Sequence, residues 1–175
     1  LLAYERRTAT RGGQGRSHVW LYDLEHGDDA PVYADEEVLG SAPLFSPDGS
    51  WLAMYDAAAR AIRVVSLEGG GATYLPSQMG DVGAFSPDGS ALVYADIRAV
   101  GRQYLPELWL ATLGPDARSD PLRQDAQEDR AAAWSPDGRW IAFASRRLDR
   151  TEGWGSQLML YDVETGGVQQ ATRDA

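Results

Sequence analysis

Apolar residues along this chain fall into short runs that recur in two phases. The first phase comprises Trp51-Leu52-Ala53-Met54-Tyr55, Ala91-Leu92-Val93-Tyr94-Ala95 and Trp140-Ile141-Ala142-Phe143-Ala144, and Leu1-Leu2-Ala3-Tyr4 matches it at the start of the chain. The second comprises Val19-Trp20-Leu21-Tyr22-Asp23-Leu24, Ile62-Arg63-Val64-Val65-Ser66-Leu67, Leu108-Trp109-Leu110-Ala111-Thr112-Leu113 and Leu158-Met159-Leu160-Tyr161-Asp162-Val163. Each run is too short for a helix and is nearly continuous rather than alternating, which predicts β-strands covered on both faces. No run approaches the roughly 20 apolar residues that cross a bilayer as a helix.

Between these runs one turn repeats. An aromatic residue (Phe45, Phe85, Trp134) precedes Ser46-Pro47-Asp48-Gly49, Ser86-Pro87-Asp88-Gly89 and Ser135-Pro136-Asp137-Gly138, at spacings of 40 and 49 residues. Proline presets φ at the first central position, aspartate bonds its own backbone at the second, and glycine supplies left-handed geometry, so each tetrapeptide predicts a hairpin. Small residues precede it (Ser41-Ala42, Gly83-Ala84, Ala131-Ala132-Ala133), as a crowded inner strand demands. Glycine-bearing turns follow the second run (Glu25-His26-Gly27, Glu68-Gly69-Gly70, Gly114-Pro115-Asp116, Glu164-Thr165-Gly166), then a short outer strand such as 72–75 or 168–171.

Four short strands per 40-odd residues predict an all-β chain: a β-propeller fragment of about four four-stranded antiparallel blades, with residues 1–175 as a single propeller segment. The blades fall at about 1–38, which lacks its inner strand, 39–80, 81–129 and 130–175. A sandwich of hairpins is the structural competitor, but nothing in a sandwich requires one turn sequence at near-constant period.

The pattern of aromatic, Ser-Pro-Asp-Gly, apolar strand, and a later Tyr-Asp followed by Glu-x-Gly resembles the propeller repeats of TolB and related WD-like repeats. The second and third units depart from it at Val65-Ser66 and Ala111-Thr112. The resemblance implies a non-catalytic protein-binding scaffold of the bacterial periplasm or an extracellular setting. The α/β domain that precedes the propeller in TolB has no counterpart in these residues. Two alternatives share the fold: the gating propeller of a prolyl oligopeptidase-type serine peptidase whose catalytic domain lies elsewhere, and a ligand-sensing propeller of a regulatory or carbohydrate-active protein.

Composition narrows the chemistry. The chain has no cysteine, which removes disulfides, thiolate nucleophiles and zinc-thiolate sites. A formal charge of -10 repels a phosphate backbone, so no nucleic-acid partner is expected. No Gly-x-Ser-x-Gly elbow occurs, and His18 and His26 are the two histidines available as a base. Gly12-Gly13-Gln14-Gly15 reads as a hairpin tip rather than a phosphate cradle. The expectation is therefore no catalytic residue, no metal and no cofactor. Leu1 stands where an initiator methionine would, inside a strand pattern, so the natural start and any leader are expected to lie upstream, and the array to be part of a longer propeller or to close by edge-to-edge association of two copies.

The connection between second and third strands varies while its frame does not: 10 residues in the second unit against 16 or 17 in the others. In repeat proteins such variation gathers on the binding side. All sixteen basic residues are arginine, and ten fall in these connections: Arg6, Arg7, Arg11, Arg16, Arg60, Arg98, Arg102, Arg146, Arg147 and Arg150. Arginine beside exposed aromatic rings is the composition of interface hot spots. The candidate partner-binding rim is thus Arg98, Arg102, Tyr104, Arg146, Arg147, Arg150 and Trp154, with an acidic protein segment as the expected partner and no insertion into a membrane. The competing reading pairs these arginines with acids of the connections between blades: Asp35-Glu36-Glu37, Asp81 and the stretch from Asp125 to Asp129.

Overall fold

The computed structural model describes residues 1–9, 15–33, 38–69, 71–114, 116–123, 128–146 and 156–172. They form antiparallel strands with no helix. The chain divides into two compact units, Leu1–Val82 and Gly83–Ala175.

The first unit holds two sheets. A three-stranded sheet runs β1 (Leu2–Ala9), β2 (Gly15–Tyr22), β3 (Asp29–Pro31), and a four-stranded sheet runs β4 (Gly40–Phe45), β5 (Trp51–Asp56), β6 (Ala61–Ser66), β7 (Ala72–Pro76). The second unit holds two four-stranded sheets: β8 (Ala84–Phe85), β9 (Ala91–Val100), β10 (Gln103–Thr112), β11 (Arg118–Pro121), then β12 (Glu128–Trp134), β13 (Trp140–Arg146), β14 (Gln157–Asp162), β15 (Val168–Gln170). Sequential strands are neighbours in every sheet, and among the described residues the first sheet has three strands, without an inner one, as the repeat pattern predicts.

The repeated turn is a closed hydrogen-bonded loop of six residues. In its first copy Ser46 N–H donates to the Trp51 carbonyl, and Trp51 N–H donates to Ser46 Oγ at 2.9 Å. Ser46 Oγ in turn donates to Asp48 Oδ1, which also accepts the Ser50 amide. Ser86, Asp88 and Ala91 repeat this network, as do Ser135, Asp137 and Trp140. Gly49, Gly89 and Gly138 adopt φ of 75°, 72° and 72°, the left-handed region the turn requires. The serine hydroxyl, bonded on both sides, ties aspartate to the strand that follows.

A second turn chemistry explains Tyr-Asp. Asp23 Oδ1 accepts the amides of Glu25 and His26, and Asp162 Oδ1 accepts those of Glu164 and Thr165. Gly27 and Gly166 close these turns at positive φ, each beneath a tyrosine hydroxyl, Tyr22 and Tyr161 respectively.

Sheet packs on sheet within the first unit. Val19 from the first sheet meets Leu52 and Met54 from the second, with Ala3, Leu21 and Phe45 around them. Arg63 on β6 closes the joint: it pairs with buried Asp56 at 2.7 Å and lies between the rings of Tyr33 and Tyr74. β4 is broken by a bulge between Ser41 and Leu44, where Ala42 takes φ of 50° and donates its amide to Glu5 Oε1 of β1 at 2.8 Å. That backbone bond, aided by Ser17 and Arg7, holds the Glu5 carboxyl below its usual pKa. Within the second unit, β12 carries a matching bulge with Ala131 at φ of 54°, and Trp134 Nε1 donates to the Ala84 carbonyl of β8.

One expectation is corrected. The variable connections read as loops in the first and third units are largely strand: β1 and β2 stay paired as far as Ala9 and Gly15, and β9 and β10 as far as Val100 and Gln103. The extension of β9 and β10 holds because it buries Leu105 and carries an ion pair between Arg98 and Glu107 at 3.1 Å. In the second sheet, by contrast, a four-residue turn over 57–60 joins strands of six residues, with Arg60 at φ of 50°.

Two predictions follow from the turns and the close approaches. At Gly83, with φ of +69°, an added Cβ would lie 1.8 Å from the Val93 carbonyl oxygen, whereas at Gly49 nothing lies within 4 Å. Gly83→Ala is expected to cost more than about 4 kcal/mol and Gly49→Ala about 1–2 kcal/mol, the conformational cost alone, both read by urea denaturation. The Asp48, Asp88 and Asp137 carboxyls sit below their usual pKa because serine hydroxyls and backbone amides donate to them. A depressed folded pKa gives stability that is present above the unfolded value and lost as pH falls through the folded one. Denaturation midpoints are therefore expected to drop from about pH 4 downward, and Ser86→Ala, which removes the acceptor of a buried amide at a cost of about 1–3 kcal/mol, to flatten that drop.

Candidate functional site: an arginine and tyrosine end of the second unit

In a four-stranded antiparallel sheet, the turn between strands two and three lies at the same end as the chain entering strand one and leaving strand four. The second unit shows this directly: Glu128, at the entry to β12, stands across from Arg146 at the end of β13. This end carries the described candidates. Arg102 is exposed in the turn between β9 and β10. Tyr104, at the start of β10, is 76% exposed, a large ring held in solvent by a regular strand. A regular hairpin thus presents a tyrosine and an arginine two residues apart, and a ring carried on a paired strand has less backbone entropy to lose on contact than one on a loop.

The other two described candidates are engaged. Arg98 leans on Glu107, whose side chain is 5% exposed, and Arg146 lies 3.6 Å from Glu128. The Arg146 pair matches the competing reading, in which an arginine meets an acid of the connection between blades. The Arg98 pair is of another kind, within a single hairpin. Arg147, Arg150 and Trp154 lie outside the described residues, as do Arg11, Gly12 to Gln14, Asp35 to Glu37 and Asp125.

The corresponding end of the first unit has its arginines largely committed. Arg6 stacks 3.8 Å from the Trp20 ring and bonds Asp29, which also accepts from the Tyr4 hydroxyl. The Asp29 bond raises the Tyr4 pKa. Arg7 lies 3.4 Å from Glu5, Arg16 is also engaged, and Arg60 is exposed in its tight turn. These clusters could not be foreseen from spacing, because Asp29 reaches Arg6 only once β3 pairs beside β2.

Both histidines have structural surroundings among the described residues. His26 Nδ1 lies 2.8 Å from Asp23, but Asp23 caps its turn as Asp162 does where Thr165 replaces the histidine. His18 borders a narrow cleft with Val19, Tyr33, Val38, Gly40 and Met54 that has essentially no room for a water molecule, let alone a small-molecule ligand.

Comparison with solved structures places the architecture. The chain is similar to the tricorn protease (TM-score 0.71, 15% identity, 91% of this chain and 17% of that one). It is similar to TolB from Acinetobacter baumannii (TM-score 0.58, 22% identity, 90% of this chain and 38% of that one). It also matches the acylaminoacyl peptidase of Pyrococcus horikoshii (TM-score 0.66, 14% identity, 97% of this chain and 30% of that one). The fold is a TolB-like β-propeller. At these identities the likeness carries the fold alone, and the chain spans well under half the length of each of these three proteins. No family profile matches the sequence, and no curated protein does.

Arg98 therefore belongs to the hairpin and Arg102 to its surface. Arg98→Ala, which strands a nearly buried carboxylate, is expected to lower stability by about 1–3 kcal/mol, and Arg102→Ala to stay within about 0.5 kcal/mol of the parent, both measured by chemical denaturation.

Proposed function

We propose that this chain is a non-catalytic protein-binding scaffold of the TolB-propeller kind, which grips an acidic segment of a partner protein at the end of the second unit defined by Arg102, Tyr104 and Arg146. Arg147, Arg150 and Trp154, next along the chain from Arg146, are further candidates on sequence alone. The observation that carries this reading is Tyr104, 76% exposed at the tip of strands that run ten residues each where those of the second sheet run six. An exposed ring on a rigid support next to arginine is what a hot spot requires. The guanidinium groups supply the selectivity for carboxylates, and the remaining net negative charge of the chain repels acidic molecules that miss the site. The likeness to TolB supports placement in the bacterial envelope.

A second reading is supported by the likeness to the acylaminoacyl peptidase and the tricorn protease: these blades are the propeller of a peptidase whose hydrolase domain lies elsewhere in the polypeptide. In that case the hairpin end selects peptide segments rather than docking a folded partner. A Gly-x-Ser-x-Gly sequence in the same gene decides for it.

The test is a fluorescence titration with a labelled peptide rich in glutamate and containing one aromatic residue. Binding is expected to weaken as salt rises, and to weaken at least about tenfold in Arg102→Glu and in Tyr104→Ala, with Arg60→Glu unchanged. Equal affinity in all three variants, or no binding by the parent chain, overturns the proposal.

A further inference from the structure

Three aspartates of this chain precede a glycine, Asp48, Asp88 and Asp137, and all three sit in the repeated turn. An aspartate followed by glycine is open to one spontaneous reaction. The glycine amide nitrogen attacks the aspartate Cγ, so that an N–C bond forms, a C–O bond breaks, and the carboxyl oxygen leaves as water with the amide proton. Water then opens the cyclic imide at either carbonyl, giving aspartate or isoaspartate, whose main chain runs through Cγ. No side chain on glycine shields the attacking nitrogen, and adjacent residues make the step intramolecular.

The three turns hold the nucleophile alike. Gly49, Gly89 and Gly138 each donate their amide at 2.9 Å to the carbonyl of the turn's serine, Ser46, Ser86 and Ser135 respectively, and share nearly the same φ. The electrophile is held differently. Asp48 accepts from the Ser46 hydroxyl, the Ser50 amide and, on its second oxygen, the Ser50 hydroxyl at 2.7 Å. Asp88 is bound in the same way, with the Ser90 hydroxyl 2.8 Å and 2.9 Å from its two oxygens. In the third copy arginine replaces that serine. Arg139 gives Asp137 its amide at 3.1 Å, but its guanidinium lies 3.3 Å from Asp162 and over the Trp140 ring. Both bonds to Asp137 fall on Oδ1, and among the described residues nothing donates to Oδ2. Ser135 is half-buried, where Ser46 and Ser86 are buried.

Each bond to the carboxylate hinders the reaction twice. It must break before Cγ can swing toward the next amide, and it favours the ionised form, which a nitrogen attacks poorly. We propose that Asp137 is a modification site, the place where the folded chain converts aspartate to isoaspartate, and that the serine after the glycine protects the other two turns. Conversion adds a methylene to the main chain inside the loop and draws the carboxylate away from Ser135 Oγ, which opens the turn joining β12 to β13.

The test incubates the parent chain at physiological pH and temperature for weeks, digests it in mild acid, and locates isoaspartate by methylation with isoaspartyl methyltransferase and by fragment ions of the lengthened main chain. Position 137 is expected to convert at least about threefold faster than position 88, which lies in the same compact unit and is the reference in every sample. A substitution that merely loosens the unit raises both positions together, so the ratio carries the test. Arg139→Ser is expected to bring the ratio to about one by slowing position 137, and Ser90→Ala to lower it by raising position 88. In concentrated urea, where the turns are lost, the parent's ratio is expected to be about one. Equal conversion in the folded parent, no conversion at position 137, a ratio unmoved by either substitution, or a difference that persists in urea each overturns the proposal.

Discussion

A small antiparallel sheet whose strands are apolar on both sides can cover neither face alone, and everything else in this protein answers that constraint. The Val19 side of the first sheet, for example, is covered only by packing on Leu52 and Met54 of the second. Stacking supplies such cover at the cost of repetition: each sheet must present the same two faces in the same register. The repeated Ser-Pro-Asp-Gly loop enforces this by fixing where the first strand ends and the second begins, to the residue.

The joint also explains where polar groups are allowed. Asp56 is nearly inaccessible, yet it caps the turn that follows it, through the amides of Ala58 and Ala59, and pairs with Arg63. Arg63 itself is sandwiched by two tyrosine rings, so a buried charge is satisfied on every side rather than left to destabilise the core. Glu5 performs the same service for the bulge amide of Ala42. At both places a side chain serves backbone groups that the sheet ladder leaves over.

Much of this was legible in the residues. The turn tetrapeptide and the two phases of apolar runs placed the strands and the missing inner strand, because both depend on local chemistry. The length of the hairpin between β9 and β10 was not legible: Arg98, Gln103 and Tyr104 look like loop residues, and only the cross-strand pairing of Arg98 with Glu107 and the burial of Leu105 make them strand. The role of the turn's serine was not legible: its hydroxyl is the hub of the network, bonded to the aspartate and to the amide of the strand that follows. The left-handed alanines at 42 and 131 carry no sequence signal, since alanine has no preference for that geometry and is held there by the bulge. Of the candidate rim, spacing located Arg102 and Tyr104 on the surface but could not separate them from Arg98, whose role is decided by a residue nine positions further on.

The bonds described for the serine turn lie within six residues, from Ser46 to Trp51 in the first copy, and owe nothing to the rest of the protein. A loop that is complete in itself can be copied to a new place in a gene and still fold there. An array made of such cassettes can grow or shrink by duplication or loss of whole repeats, with no intermediate that needs its bends redesigned. The unequal spacing of the copies is then free to vary, because most of the inserted residues fall in the hairpin between β9 and β10, at the far end of the sheet, and leave the cassette untouched.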